Sequence, residues 1–223
     1  MPKASRSAWA TRALIGLAVT VAAVPVGADV RSSTEMRDYR VSGTSAASLV
    51  SFMRNNPFHG DRGAAVANIR PSYSLSVLTK DEGRDGICQT QKVDVNIRFV
   101  MTLPKATNAL SGGTKNAWNG FVAFARKHEE THRGIYLDCA NDFIKQAMKM
   151  TSATGCFALQ ANIRRLFEAQ KRSCDARQLA FDRRDYRRVF GLSLFAMAKY
   201  PVSAKPAKVS AGKPAGSRSM IGP

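Results

Sequence analysis

The sequence predicts an α+β fold, a small antiparallel sheet packed against a long antiparallel helical hairpin. Two observations carry this reading. Residues 93–103 alternate between apolar and polar side chains, the period-two pattern of a strand with one buried face. Residues 116–150 and 156–188 are free of proline and repeat apolar side chains at helical spacing, with only the Thr151–Gly155 break between them.

The elements follow in order. Residues 1–28 read as a signal peptide: Lys3, Arg6 and Arg12 precede an uncharged apolar run from Ala13 to Val26, and Val26-Gly27-Ala28 offers a small-residue cleavage site. The domain proper spans 29–199. Met36 to Val41 alternates as a strand and is followed by a Gly43 turn. Thr44 or Ser45 can cap a short helix with Leu49, Phe52 and Met53 on its apolar face, ended by Asn56-Pro57. Residues 64–80 are β-rich around Tyr73 to Leu78, and Asp81 to Gly86 is a polar turn. In the clearest strand, Val93, Val95, Ile97, Phe99, Met101 and Leu103 share one face, and Pro104 is expected to stop it. The first long helix has Trp118, Phe121, Ala125, His128, His132, Ile135, Cys139 and Phe143 on its inner stripe. The second has Leu159, Ile163, Leu166, Phe167, Cys174 and Phe181. The apolar stretch 189–198 is too short to span a bilayer and is expected to pack on the sheet. Residues 200–223, rich in Lys, Ala, Pro, Ser and Gly, read as a disordered basic tail.

Composition narrows the function classes. With 44% apolar and 22% charged residues in 223, the chain is neither a disordered polyelectrolyte nor a protein of several membrane spans. The net charge of +18 invites a polyanionic partner, but it is concentrated late: residues 151–199 contribute +6 and 200–223 contribute +4. Export and the lack of any binding motif argue against nucleic acid. In an oxidising compartment the four cysteines imply two disulfides, and the absence of a CxxC pair argues against a zinc ribbon.

Chemistry concentrates at His128-Glu129-Glu130-Thr131-His132, an HExxH motif within a helix. Residues four apart lie about 40° from each other around a helix, so both imidazoles reach one ion. Glu129 beside them can take a proton from metal-activated water. Only three histidines occur in the chain, and two stand here on the buried stripe, where an imidazole needs a polar partner.

Four segments resemble a bacterial family of predicted secreted zinc-dependent proteases, formerly a domain of unknown function. They are 38–53 (DYRVSGTSAASLVSFM), 93–104 (VDVNIRFVMTLP), the HEETHR helix, and 181–188 (FDRRDYRR). The resemblance covers roughly 36–190. It implies His128 and His132 as zinc ligands and Glu129 as catalytic base. The family's late segment typically reads Tyr-Asp-x-x-Thr-x-His-Gly; here Asp182 retains the aspartate, whereas the Thr, His and Gly are absent.

A third ligand is needed. Cys156 and Cys174 on one helix lie about 27 Å apart, beyond the roughly 7 Å reach of a disulfide. That removes Cys156–Cys174 and its complement Cys88–Cys139. Cys139–Cys156 would have to fold the short loop back along the first helix, leaving Cys139–Cys174 with Cys88–Cys156 as the expected set. The Cys139–Cys174 bridge then sets His132 near Phe181 and His128 near Asp185. Helical phase favours Asp185 and the family resemblance favours Asp182. The expected ligand set is therefore His128, His132 and Asp182, with Asp185 as the alternative. Asp138 points about 80° away from His128 on a continuous helix, and His59 sits in a loop.

The expected function is an exported, periplasmic or secreted Zn2+-dependent hydrolase, a zincin-like metallopeptidase acting on peptide or protein in the cell envelope. The alternative is a non-catalytic envelope protein that contacts anionic polymer or lipid through the basic second helix and tail.

Overall fold

The computed structural model describes residues 27–61, 63–81 and 86–199. The expected signal peptide, apart from its last two residues, and the tail 200–223 lie outside the described residues. In chain order the elements are β1 (Ala28–Val41), α1 (Ala46–Asn55), the short strands β2 (Phe58–Gly60) and β3 (Gly63–Ala65), and β4 (Asn68–Asp81). Then come β5 (Cys88–Ala106), α2 (Gly112–Ala147), β6 (Thr151–Ser152), α3 (Cys156–Asp185), a 3-10 turn (Tyr186–Gly191) and α4 (Ser193–Met197).

The α+β class holds, but the sheet is mixed rather than antiparallel. Its order is β1-β5-β4, with β6 paired to the start of β5. β4 and β6 run antiparallel to β5, whereas β1 runs parallel to it, from Ala28 opposite Val93 to Val41 opposite Ala106. Alternation in a sequence reports which face is buried; it carries no information about the direction of a neighbour. β1 also begins at Ala28, well before Met36. Its first half is a largely exposed edge, so it needs no apolar face and shows no alternation.

β5 buries Val93, Val95, Ile97, Phe99, Met101 and Leu103 on one face, the set its alternation predicts. It continues past Pro104 to Ala106. Pairing with β4 ends at Thr102, so Pro104 has only β1 beside it, and a missing N–H is tolerated at such an edge.

α1 starts at a capping box: Ser45 accepts from the Ser48 backbone N–H, and Ser48 Oγ accepts in return from the Ser45 N–H. Gly43 before it has φ +147°, and a Cβ there would lie 2.7 Å from Ser48 Oγ. The turn therefore depends on glycine.

Two apolar clusters lie along α2. The larger joins the sheet to α2 and α3 through Phe99, Phe143, Leu159, Ile163 and Phe167. The smaller gathers Val41, Leu49, Trp118, Phe121, Leu194 and Phe195. The 189–198 segment thus packs on α1 and the first turns of α2, not on the sheet as expected, because α1 leaves an apolar face there. Among the described residues no helix is long and apolar enough to cross a membrane.

The disulfides are Cys88–Cys156 and Cys139–Cys174, with Cα separations of 5.0 and 5.9 Å. The first ties α3 to the start of β5, and the second fixes α2 against α3. Non-reducing peptide mapping should recover these two pairs. Replacing Cys139 and Cys174 together by Ala should cost about 4 kcal/mol in denaturant unfolding, the loop-entropy value for a bridge of this span. A loss below about 1 kcal/mol would mean that packing alone holds the hairpin.

Candidate metal centre

The two histidines of HExxH project from the middle of α2, between the two apolar clusters. His132 is buried and His128 half-buried. Four residues apart on a regular helix, they bring their Nε2 atoms to 3.1 Å from each other. Asp182 on α3 meets both: its Oδ1 lies 2.7 Å from His132 Nε2 and 3.3 Å from His128 Nε2. These three residues form a group whose donor atoms could hold one metal ion. Donors bound tetrahedrally at zinc distances are separated from each other by about 3.3 Å, close to the triangle found here.

The far side of each imidazole decides what these atoms can do. Gln178, fully buried on α3, donates its Nε2 N–H to the His132 carbonyl oxygen at 3.1 Å, which leaves its Oε1 facing His132 Nδ1 at 2.5 Å. A carbonyl oxygen only accepts, so His132 Nδ1 carries the proton. Asp185 Oδ2 lies 2.8 Å from His128 Nδ1 and likewise requires an N–H there. In the neutral imidazoles both Nε2 atoms are therefore lone pairs, directed at each other and at a carboxylate oxygen. Three converging lone pairs repel unless a cation, either protons or a metal, lies among them. The donor set could hold one metal ion, with a histidine–carboxylate contact and a histidine–amide contact holding the rings.

Asp185 thus approaches His128 on the Nδ1 side, away from the convergence point. Arg188 donates to its other oxygen at 2.7 Å. Burial alone would raise the Asp185 pKa, but the bonds from His128 and Arg188 outweigh it and hold the carboxylate below its usual range. Burial works against charge on His128 as well. Its bonds to Asp182 and Asp185 win, and its pKa lies above the ordinary imidazole value.

Glu129 is buried at 5% exposure. Burial pushes its carboxyl up to about 7; the two imidazoles and a backbone hydrogen bond from Ile69 in β4 pull the other way. Beside the donors, Phe124 and Phe181 flank a pocket of about 60 Å³ that His128, Asp185, Lys127, Thr131 and Arg188 also line.

His59 lies exposed in β2, and Asp138 is exposed near Arg177; neither belongs to the donor group. Sequence reasoning missed Gln178. The signal was available, since Cys174, Gln178 and Asp182 recur every fourth residue along one stripe of α3. The Ile69 N–H had no sequence signal.

The fold and site define a class: a disulfide-tied α+β domain in which two histidines and one aspartate form a donor cluster across a helical hairpin. The family described as "Bacterial protein of unknown function (DUF922)" matches residues 36–188, and the chain belongs to it. No curated protein and no solved structure matches the chain.

Metal analysis should find close to one equivalent of bound ion per chain, with a fall in thermal midpoint on chelation. Alanine at His128, His132 or Asp182 should abolish binding. Asp185→Asn and Gln178→Leu should keep the stoichiometry but weaken affinity by about 10- to 100-fold. Unchanged affinity in Asp182→Ala would remove it from the donor set.

Proposed function

We propose that this chain is an exported zinc-dependent hydrolase, a zincin-type metallopeptidase acting on peptide or protein in the periplasm or outside the cell. The observation that carries the reading is the convergence of two imidazole lone pairs and the Asp182 oxygen, with buried Glu129 one residue from the first histidine. The sequence resemblance points the same way, and two disulfides are compatible with an extracytoplasmic location.

Zinc, when bound, lowers the pKa of a coordinated water toward about 7 and polarises the substrate carbonyl. The remaining roles fall to the chain. His128, His132 and Asp182 hold the ion, and Asp185 and Gln178 keep each ring in the tautomer that presents Nε2. Arg188 keeps Asp185 charged. Glu129, with a carboxyl near neutrality and shielded from bulk solvent, accepts the proton as water adds to the carbonyl carbon. It then delivers that proton to the departing amine nitrogen as the C–N bond breaks.

Exposed Arg164, Arg165 and Arg172 along α3 favour a second reading, in which the domain holds an anionic polymer or lipid without catalysis. Binding to anionic vesicles would then survive metal removal and fall steeply with salt.

The direct test is hydrolysis of a mixed peptide library by zinc-loaded protein. Glu129→Gln should lower turnover at least about 100-fold while zinc stoichiometry stays near one. Retained turnover in that variant, or a wild-type protein that takes up no metal, would overturn the proposal.

A further inference from the structure

We infer that the pocket beside the metal donors is a carboxylate subsite, so that the preferred substrate carries an anionic group. This rests on the hydrolase reading and names its substrate class. The pocket shares His128 with the donor group and lies where Asp185 and Arg188 meet that ring, so whatever fills it sits one imidazole away from the donor atoms. Its volume of about 60 Å³ is several times the roughly 10–15 Å³ of such space that one water needs, so a small group such as a carboxylate fits. Phe124 and Phe181 supply walls for a methylene stem, and Lys127 and Arg188 supply cations for its head.

One acid also lines the pocket, and its charge is already engaged. Asp185 uses one oxygen for His128 Nδ1 and the other for Arg188 Nη1. That contact occupies one corner of the Arg188 guanidinium. The side chain is 70% exposed and lies over the Phe124 ring, 5.7 Å from its centroid, so further N–H groups of the fork remain open to solvent. Lys127 is exposed at the same mouth.

The surrounding surface has the same sign. In the two segments that carry the site, 126–133 and 181–188, Arg126, Lys127, Arg183, Arg184, Arg187 and Arg188 are exposed, whereas Glu130 is the only exposed acid among the described residues there. Such a field concentrates anionic ligands at the pocket and disfavours cationic ones. A carboxylate can come from a Glu or Asp side chain or from a free C-terminus, and the geometry accommodates either source.

The experiment uses four labelled peptides of one sequence: an internal Glu with an amidated end, its Gln and Lys analogues with amidated ends, and the Gln analogue with a free C-terminus. Binding is read by fluorescence anisotropy on zinc-loaded Glu129→Gln protein, and cleavage by kcat/KM on zinc-loaded wild type. At least one carboxylate-bearing peptide should exceed the amidated Gln analogue by about 10-fold in both readouts, with the Lys analogue weakest. The preference should shrink with added salt and with Lys127→Ala, which leaves the Asp185–Arg188 contact in place. Preference for the internal Glu assigns the subsite to a side chain; preference for the free end assigns it to a C-terminus. Equal binding of all four peptides, or a preference indifferent to Lys127→Ala and salt, would overturn the subsite. If wild type cleaves none of the peptides while the carboxylate preference in binding persists, the hydrolase reading fails and the pocket stands.

Discussion

The register between α2 and α3 is the constraint on which the site depends. Cys139–Cys174 joins the helices covalently, and one turn further along α3 Gln178 spans to His132 at both its backbone and its ring. The next turn delivers Asp182 to both Nε2 atoms. A slip of one residue would rotate α3 by about 100° and remove every one of these partners, leaving buried imidazoles unsatisfied. The hairpin is itself held on the sheet by Tyr73 of β4 against Phe167, which in turn packs on Phe143 across the two helices. The candidate donor cluster and the core packing therefore share one alignment.

The placement between two apolar clusters has an energetic side. Glu129, His132, Gln178 and Asp185 are all buried polar groups, which a core tolerates only when each has a partner. Here each one does: Glu129 takes the Ile69 N–H, His132 and Gln178 bond each other, and Asp185 is held between His128 and Arg188. The same burial that makes the cluster demanding brings the Glu129 carboxyl close to neutrality, where a proton can move in either direction.

Much of this was legible in the chain. The β5 face, the Ser45 cap, the helical hairpin and the pairing of four cysteines all follow from local periodicity or from the rise of a helix. The choice between Asp182 and Asp185 did not, because phase arguments treat a histidine as a point. Its ring has two nitrogens facing opposite ways, and the two aspartates reach the same ring from its two sides. The long polar half of β1 was invisible because an exposed edge strand carries no alternation. The position of α4 was misjudged because an apolar segment does not declare which apolar surface it will cover.

By itself, the sequence determined that two imidazoles share a helical face beside a glutamate, and which cysteines can meet. The first relation lies within one helix, and the second rests on excluding a bridge between two cysteines of another helix, where rise and twist per residue are set by the backbone. Only the tertiary structure decided that β1 runs parallel to β5, that an amide hydrogen of β4 meets Glu129, and which carboxylate faces the Nε2 atoms. These contacts join segments dozens of residues apart, His128 to Asp185 across 57 positions and His132 to Gln178 across 46. Packing of whole elements sets such distances, and no local pattern encodes them.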